Sequence, residues 1–260
     1  MSLEALASSL SGLSLERDGA TADTAIPVDD TIDVDAPLAE RSDRARVDTI
    51  NLPPVPCATA LASLRERGCR LTDAAPDGNC AQRASNRSAG RGPPAAAASS
   101  DAATLRTLRA QRVRIVDRVT GEGDATSIAD GSAITMAALR KRHGLAAGAM
   151  TPFRELGHWA DAGLAFSFFM WGLADDIALP IVVLQRTRAG TYLDPAVIYR
   201  PPLSLVRHCS GDGSRRDKLG LYLHLGYAEL LRWLDGDEAP RLALVEHVPG
   251  HYSPFVRSVT

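Results

Sequence analysis

The chain reads as an α+β domain behind an acidic tail. Three observations predict this. Helical apolar spacing and short β-branched runs are mixed without a regular βαβ rhythm, as at Leu105–Val119 against Ile181-Val182-Val183-Leu184. Composition changes abruptly near residue 50. The 260 residues are 45% hydrophobic, enough for one good-sized core and a remainder that stays outside it.

That remainder is residues 1–50. They hold 11 acidic and 4 basic residues, a net charge of −7, and no aromatic residue. Such a segment buries too little apolar surface to offset its ordering entropy, so a disordered tail is expected, with residues 51–260 as the folded domain. Leu3, Leu6, Leu10 and Leu13 recur at roughly helical spacing and read as a nascent helix. The whole chain is −2, so residues 51–260 are about +5 by difference. Their basic residues are scattered, with no interleaved aromatic platform, and nucleic acid is not expected as a partner.

Within the domain, residues 57–67 read as a first helix stopped by Gly68, and Arg70-Leu71-Thr72 as a short strand. A turn at Asp77-Gly78-Asn79-Cys80 leads into a helix through Arg87, and residues 90–100 form a Gly/Pro/Ala/Ser-rich loop. In the helix from Leu105 to Val119, Leu105, Leu108, Val113 and Val116 make the apolar side. Arg106, Arg109, Arg112 and Arg118 read as a mostly solvated face. Residues 121–131 read as a loop, with helices over 134–143 and 163–174. Phe166, Phe168, Phe169 and Trp171 are assigned to the core, and Trp233 to a structural role. Strands are expected at 181–185 and 243–246, with weaker ones at 196–199 and 219–225. The most apolar stretch, Leu164–Ala174, is too short to span a bilayer, and no secretory signal is apparent.

The chemistry is concentrated in two short motifs. Asp77-Gly78-Asn79-Cys80 presents a thiol at a turn running into a helix, and Gly250-His251-Tyr252 presents an imidazole 171 residues later (251 − 80). An imidazole within reach takes the proton of a thiol and stabilises the thiolate, and only the folded geometry matters for the pair. Gly78 permits a positive φ before the nucleophile. A helix N-terminus at Cys80 favours negative charge on sulfur and on the oxyanion of an acyl-transfer intermediate. The backbone N–H groups of Gly78, Asn79 and Cys80 are the expected donors. His247 is the competing base, and His251 is preferred. Cys57, Cys69, Cys80 and Cys209 are too few for a disulfide scaffold and lack the close pairs of a zinc site, so no metal is expected and a reducing compartment is.

These residues resemble the ovarian-tumour (OTU) family of papain-like deubiquitinases. Asp77-Gly78-Asn79-Cys80, Arg83-Ala84, His158-Trp159-Ala160-Asp161, the strand at Ile181–Leu184, the strand at Leu242–Val245 that would deliver the histidine, and the late His251-Tyr252 follow the family's order over roughly residues 51–259. The resemblance implies a papain-like fold, a small central β-sheet packed between helices, and thiol-dependent hydrolysis after the C-terminal glycine of ubiquitin. Cys80 would be nucleophile, His251 general base and acid, and Trp159 and Tyr252 walls of the substrate groove. It implies no cofactor and ubiquitin, polyubiquitin or a ubiquitin-like modifier as partner, while the cysteine usage points to a cytoplasmic or nuclear location, a host cell's cytoplasm included, and the hydropathy to no membrane.

The chain departs from the pattern in three places. Ala81 and Gln82 stand where bulky apolar residues usually follow the cysteine. Ser253 stands where Asp or Asn often orients the histidine, so Asp77 is the preferred acidic member and Ser253 the alternative. The 90–100 segment is an insertion. Two other readings stay open, a catalytically weak ubiquitin-binding module and a papain-like protease that processes a polyprotein.

Overall fold

The computed structural model describes residues 52–75, 77–91, 101–121, 126–129, 132–158, 163–194, 196–201, 221–235 and 242–257. The acidic segment 1–50, most of the 90–100 insertion, Trp159 and Cys209 lie outside the described residues.

The fold is α+β. Strand β1 (Val55–Pro56) leads into helix α1 (Cys57–Glu66), which ends at Gly68, where φ is +73°. Strand β2 (Cys69–Leu71) precedes the cysteine loop, and α2 (Cys80–Ser88) starts on the cysteine itself. Helix α3 (Ala102–Thr120) is capped by Asp101, whose carboxylate accepts from the Thr104 N–H. The hairpin β3 (Thr126–Ala129) and β4 (Ser132–Thr135) follows, then α4 (Met136–Arg142), capped by Thr135, and a 3-10 helix at Ala147–Arg154. Helix α5 (Leu164–Asp176) runs into β5 (Ile181–Gln185), β6 (Thr191–Tyr192), β7 (Ala196–Tyr199) and β8 (Tyr222–Leu225). Helix α6 (Tyr227–Asp235), β9 (Ala243–Val248) and β10 (His251–Arg257) complete the domain.

Six strands make the central sheet in the order β2-β10-β9-β5-β7-β8. Only β5 and β9 are parallel, and every other neighbouring pair is antiparallel. Ile181–Leu184 is buried throughout, because helices cover both faces of the sheet there. Side-chain alternation splits the apolar residues into two cores. On one face Val183, Val245 and Tyr252 pack with Ala81, Ala84, Ile115, Phe166 and Trp171 from α2, α3 and α5. On the other, Val182, Leu184, Leu244 and Phe255 pack with Ala60 and Leu64 of α1 and Leu230 of α6. Phe166, Phe168, Phe169 and Trp171 are core residues as expected, and Trp233 packs at the margin of the second core.

Several expectations need correction. The stretch 121–131 contains a strand, β3, and the predicted helix 134–143 begins only at Met136, since residues 132–135 complete a hairpin. The helix 227–235 and strand 251–257 were not anticipated. Pro254 inside β10 conceals a strand, because proline cannot donate to a ladder. Here β2 ends beside it, and the Pro254 carbonyl accepts from the Thr72 N–H. The strand expected to deliver His251 is β9, but the histidine instead opens the next strand, after a turn at Pro249-Gly250 with Gly250 at φ +81°. Arg112 does not face solvent. It shares the buried phase of α3 with Leu108, Gln111, Ile115, Val116 and Val119. Among the described residues no helix is long and apolar enough to cross a membrane.

Candidate functional site

Cys80 is the first residue of α2 and is 1% exposed. The loop before it is held by its own polar groups. Asp77 Oδ1 accepts from the Asn79 N–H at 3.0 Å, and Asp77 Oδ2 takes Arg83 Nε at 2.9 Å and Nη2 at 2.8 Å. Gly78 has φ +69°, and a Cβ there would lie 2.7 Å from the carbonyl oxygen of Gly157. Only glycine meets both conditions. Gly157, itself at φ +71°, returns a bond from its N–H to Asn79 Oδ1 at 2.9 Å. Two glycine turns, 79 residues apart in sequence (157 − 78), are therefore pressed together beside the thiol.

Strand β10 brings the second motif to the same place. Strand β2 pairs only with Phe255–Arg257, so the edge of β10 ahead of those residues is open to α2. There the backbone N–H of Tyr252 comes near enough to the Cys80 sulfur to favour its thiolate, as do those of Ala81 and Cys80. Burial is the largest influence on the thiol and pushes it above its ordinary value. The three N–H groups oppose that by favouring the thiolate, while the charge of Asp77 adds to the rise. At neutral pH Cys80 is consequently a thiol.

His251 is the residue immediately before the one that touches sulfur. Its Nδ1 is buried and has no hydrogen-bond partner among the described residues. By strand alternation His251 and Ser253 belong to the face of Phe255, and Tyr252 to the face of Ala81 and Phe166. Tyr252 packs against Phe166, with ring centroids 6.1 Å apart, and stacks on His247 at 4.4 Å. It is 4% exposed and so serves as packing under the site, not as an open groove wall. The stacking of His247 on Tyr252 puts that imidazole on the α2 face of β9.

The predicted members fare differently. Cys80, Gly78, Asn79 and Asp77 sit together in one loop, and Tyr252 of β10 packs on the same face of the sheet as Cys80, whereas His251 and Ser253 lie on the Phe255 face of that strand. Asp77 has both carboxylate oxygens committed to Asn79 and Arg83, which makes it the clamp of the cysteine loop. The expected oxyanion donors need one correction. The Asn79 N–H is already given to Asp77, and the amides that converge on the sulfur are those of Cys80, Ala81 and Tyr252. Ser253 lies opposite the buried carboxylate of Glu246, whose Oε1 accepts from the Tyr192 hydroxyl and lies 3.8 Å from Arg186 Nη1. Trp159 is outside the described residues. Among the described residues no group of His, Cys, Asp and Glu could hold a metal ion.

Sequence reading missed the polar floor of the site. Gln82 is fully buried and held by hydrogen bonds. Its Nε2 donates to the Leu108 carbonyl at 3.0 Å and to Gln111 Oε1 at 2.7 Å, and its Oε1 accepts from Arg112 Nε at 3.0 Å. Gln111 in turn bonds Asn86 and Asp176. The i, i+4 spacing of Gln82 and Asn86 on one helix and the adjacent Gln111-Arg112 on the other were the available signal. No family profile matches the chain, and no curated protein matches it.

Proposed function

We propose that the protein is a cysteine-type deubiquitinase of the OTU kind, a thiol-dependent isopeptidase acting after the C-terminal glycine of ubiquitin or a ubiquitin-like modifier in the cytoplasm or nucleus. One observation carries the reading. The backbone N–H of Tyr252 lies near enough to the Cys80 sulfur to favour its thiolate, which supports reading the late Gly-His-Tyr motif and the Asp-Gly-Asn-Cys motif as parts of one site. The start of α2 on Cys80, the positive φ of Gly78 and the unpartnered Nδ1 of His251 support it further.

In this mechanism the neutral thiol gives its proton to His251 as sulfur attacks the glycine carbonyl. The amides of Cys80 and Ala81 at the helix N-terminus stabilise the charge that develops. The lysine amine leaves with the proton from His251, and water, activated by the same imidazole, hydrolyses the thioester and regenerates the thiol. No cofactor takes part.

A second reading has its own support: burial holds the thiol above its ordinary value, and the acid nearest in sequence to the thiol, Asp77, is occupied. A ubiquitin-binding module with little turnover would look like this. Reaction with ubiquitin bearing a C-terminal thiol-reactive group separates the two. A mass increase of one ubiquitin that is lost in Cys80→Ala and in His251→Ala supports the hydrolase. Measurable ubiquitin binding without the adduct supports the binding module, and neither adduct nor binding overturns both.

A further inference from the structure

Arg112 is 3% exposed, yet its guanidinium has only neutral partners in hydrogen-bond contact among the described residues. Nη1 donates to the carbonyls of Phe153 at 3.2 Å, Glu155 at 3.0 Å and His158 at 3.4 Å. Nη2 reaches the Gly78 carbonyl at 3.5 Å, and Nε binds Gln82 Oε1. The face of the group lies 5.2 Å from the centre of the Phe169 ring. A cation taken out of water without a contacting carboxylate costs stability, and desolvation lowers Arg112 to about 10. Such a group is an expensive way to link four carbonyls, and it sits under the loop that carries the nucleophile.

We propose that Arg112 is a positioning residue of the Cys80 site, a buried positive charge that favours the thiolate while its fork locks the Gly78 turn onto the 153–158 segment. The effect is reciprocal. Negative charge at Cys80 and at Asp77 favours the cationic form of Arg112, so by linkage the guanidinium favours ionised sulfur, as a smaller influence on the thiol than burial, the neighbouring amides and Asp77. The groups around the thiol define the balance. Asp77 of the loop opposes ionisation and is itself paired with Arg83 of α2. Tyr252 approaches from β10, with His251 beside it on the other face of the strand, His247 behind Tyr252 on β9 and Tyr199 on β7. Glu155 and His158 lie on the segment that Arg112 holds. Among the described residues of that ring Arg112 is the buried cation that no carboxylate contacts. The inference rests on the reading of Cys80 as nucleophile, but its readout needs no ubiquitin.

The test is ionisation of Cys80, followed as thiolate absorbance near 240 nm against pH and taken as the difference between each protein and its Cys80→Ser counterpart. Arg112→Gln is expected to raise the midpoint by about one pH unit, a tenfold loss of thiolate below it. Arg112→Lys, which keeps the charge and loses the fork, is expected to leave the midpoint within a few tenths of a unit. A folded Arg112→Gln protein with an unchanged midpoint overturns the proposal. If Arg112→Gln does not fold, the lysine variant decides: an unchanged midpoint upholds the role of the charge, and a rise of a full unit overturns it. A normal titration with no ubiquitin adduct would sink the deubiquitinase reading and leave Arg112 standing, so the two failures are distinguishable.

Discussion

Asp77 and Arg83 form an ion pair at 2.8 Å across the first turn of α2, with the arginine side chain 8% and the aspartate 32% exposed. The pair closes the loop over the cysteine and leaves a negative charge close enough to the thiol to discourage its ionisation. Asp77→Asn keeps an acceptor for the Asn79 N–H and removes that charge. Cys80 is then expected to ionise at lower pH, with a stability loss of about 1–3 kcal/mol from the arginine left without its partner. Thiolate absorbance and urea unfolding read the two effects, and a midpoint that rises would show that Asp77 acts mainly through loop geometry.

The contact between the Gly78 and Gly157 turns makes an unequal prediction for two similar substitutions. Gly78→Ala meets both a positive φ and the Gly157 carbonyl at 2.7 Å, and should cost about 3 kcal/mol or more. At Gly157 the nearest atom to an added Cβ is the Asp77 carbonyl at 3.8 Å, so Gly157→Ala should cost only the backbone strain, about 1–2 kcal/mol. Urea denaturation of both proteins checks the order, and equal costs would contradict the close approach.

Tyr192→Phe removes the hydroxyl that donates to the buried Glu246 carboxylate and is expected to destabilise the domain by about 1–3 kcal/mol. Glu246→Gln retains an acceptor for that hydroxyl and should cost less than Tyr192→Phe. A larger loss for Glu246→Gln would mean that the carboxylate charge, through Arg186, contributes more than the hydrogen bond.

Stability should fall at alkaline pH. The Cys80 thiol is raised in the folded protein above its ordinary value of 9.0, so the native state retains a proton that the unfolded chain releases. Its contribution is fully present below pH 9 and is lost as pH climbs through the folded value. Cys57 and the fully buried Tyr252 are raised by burial as well and act in the same direction. Cys80→Ala should therefore flatten, without abolishing, the decline in unfolding free energy above pH 9. An unchanged slope in that variant would show that Cys80 is not raised.

Much of the site was legible because its signals are local. A glycine before a cysteine at the head of a helix, and a histidine after Pro249-Gly250, are written in consecutive residues, and the turn at Gly78 and the start of α2 on Cys80 follow from them. The apolar runs at Leu164–Ala174 and Ile181–Gln185 likewise announced a buried helix and a central strand. Tertiary structure decided the rest. Arg112 looked like one of four solvent-facing arginines, since its sequence neighbours alternate with apolar residues, and only the crossing of α3 under the cysteine loop turned it inward. Gly157 had no local mark at all, because its necessity comes from Gly78 in another part of the chain. Strand β10 was hidden by Pro254, and the commitment of the Asn79 N–H to Asp77 depended on how the loop closed. Sequence determined which candidate groups stand at the two motifs and how their turns bend, because side-chain type and turn geometry are local properties. Only the fold decided which amide meets the sulfur and which cation lies beneath it, because long-range packing selects those partners.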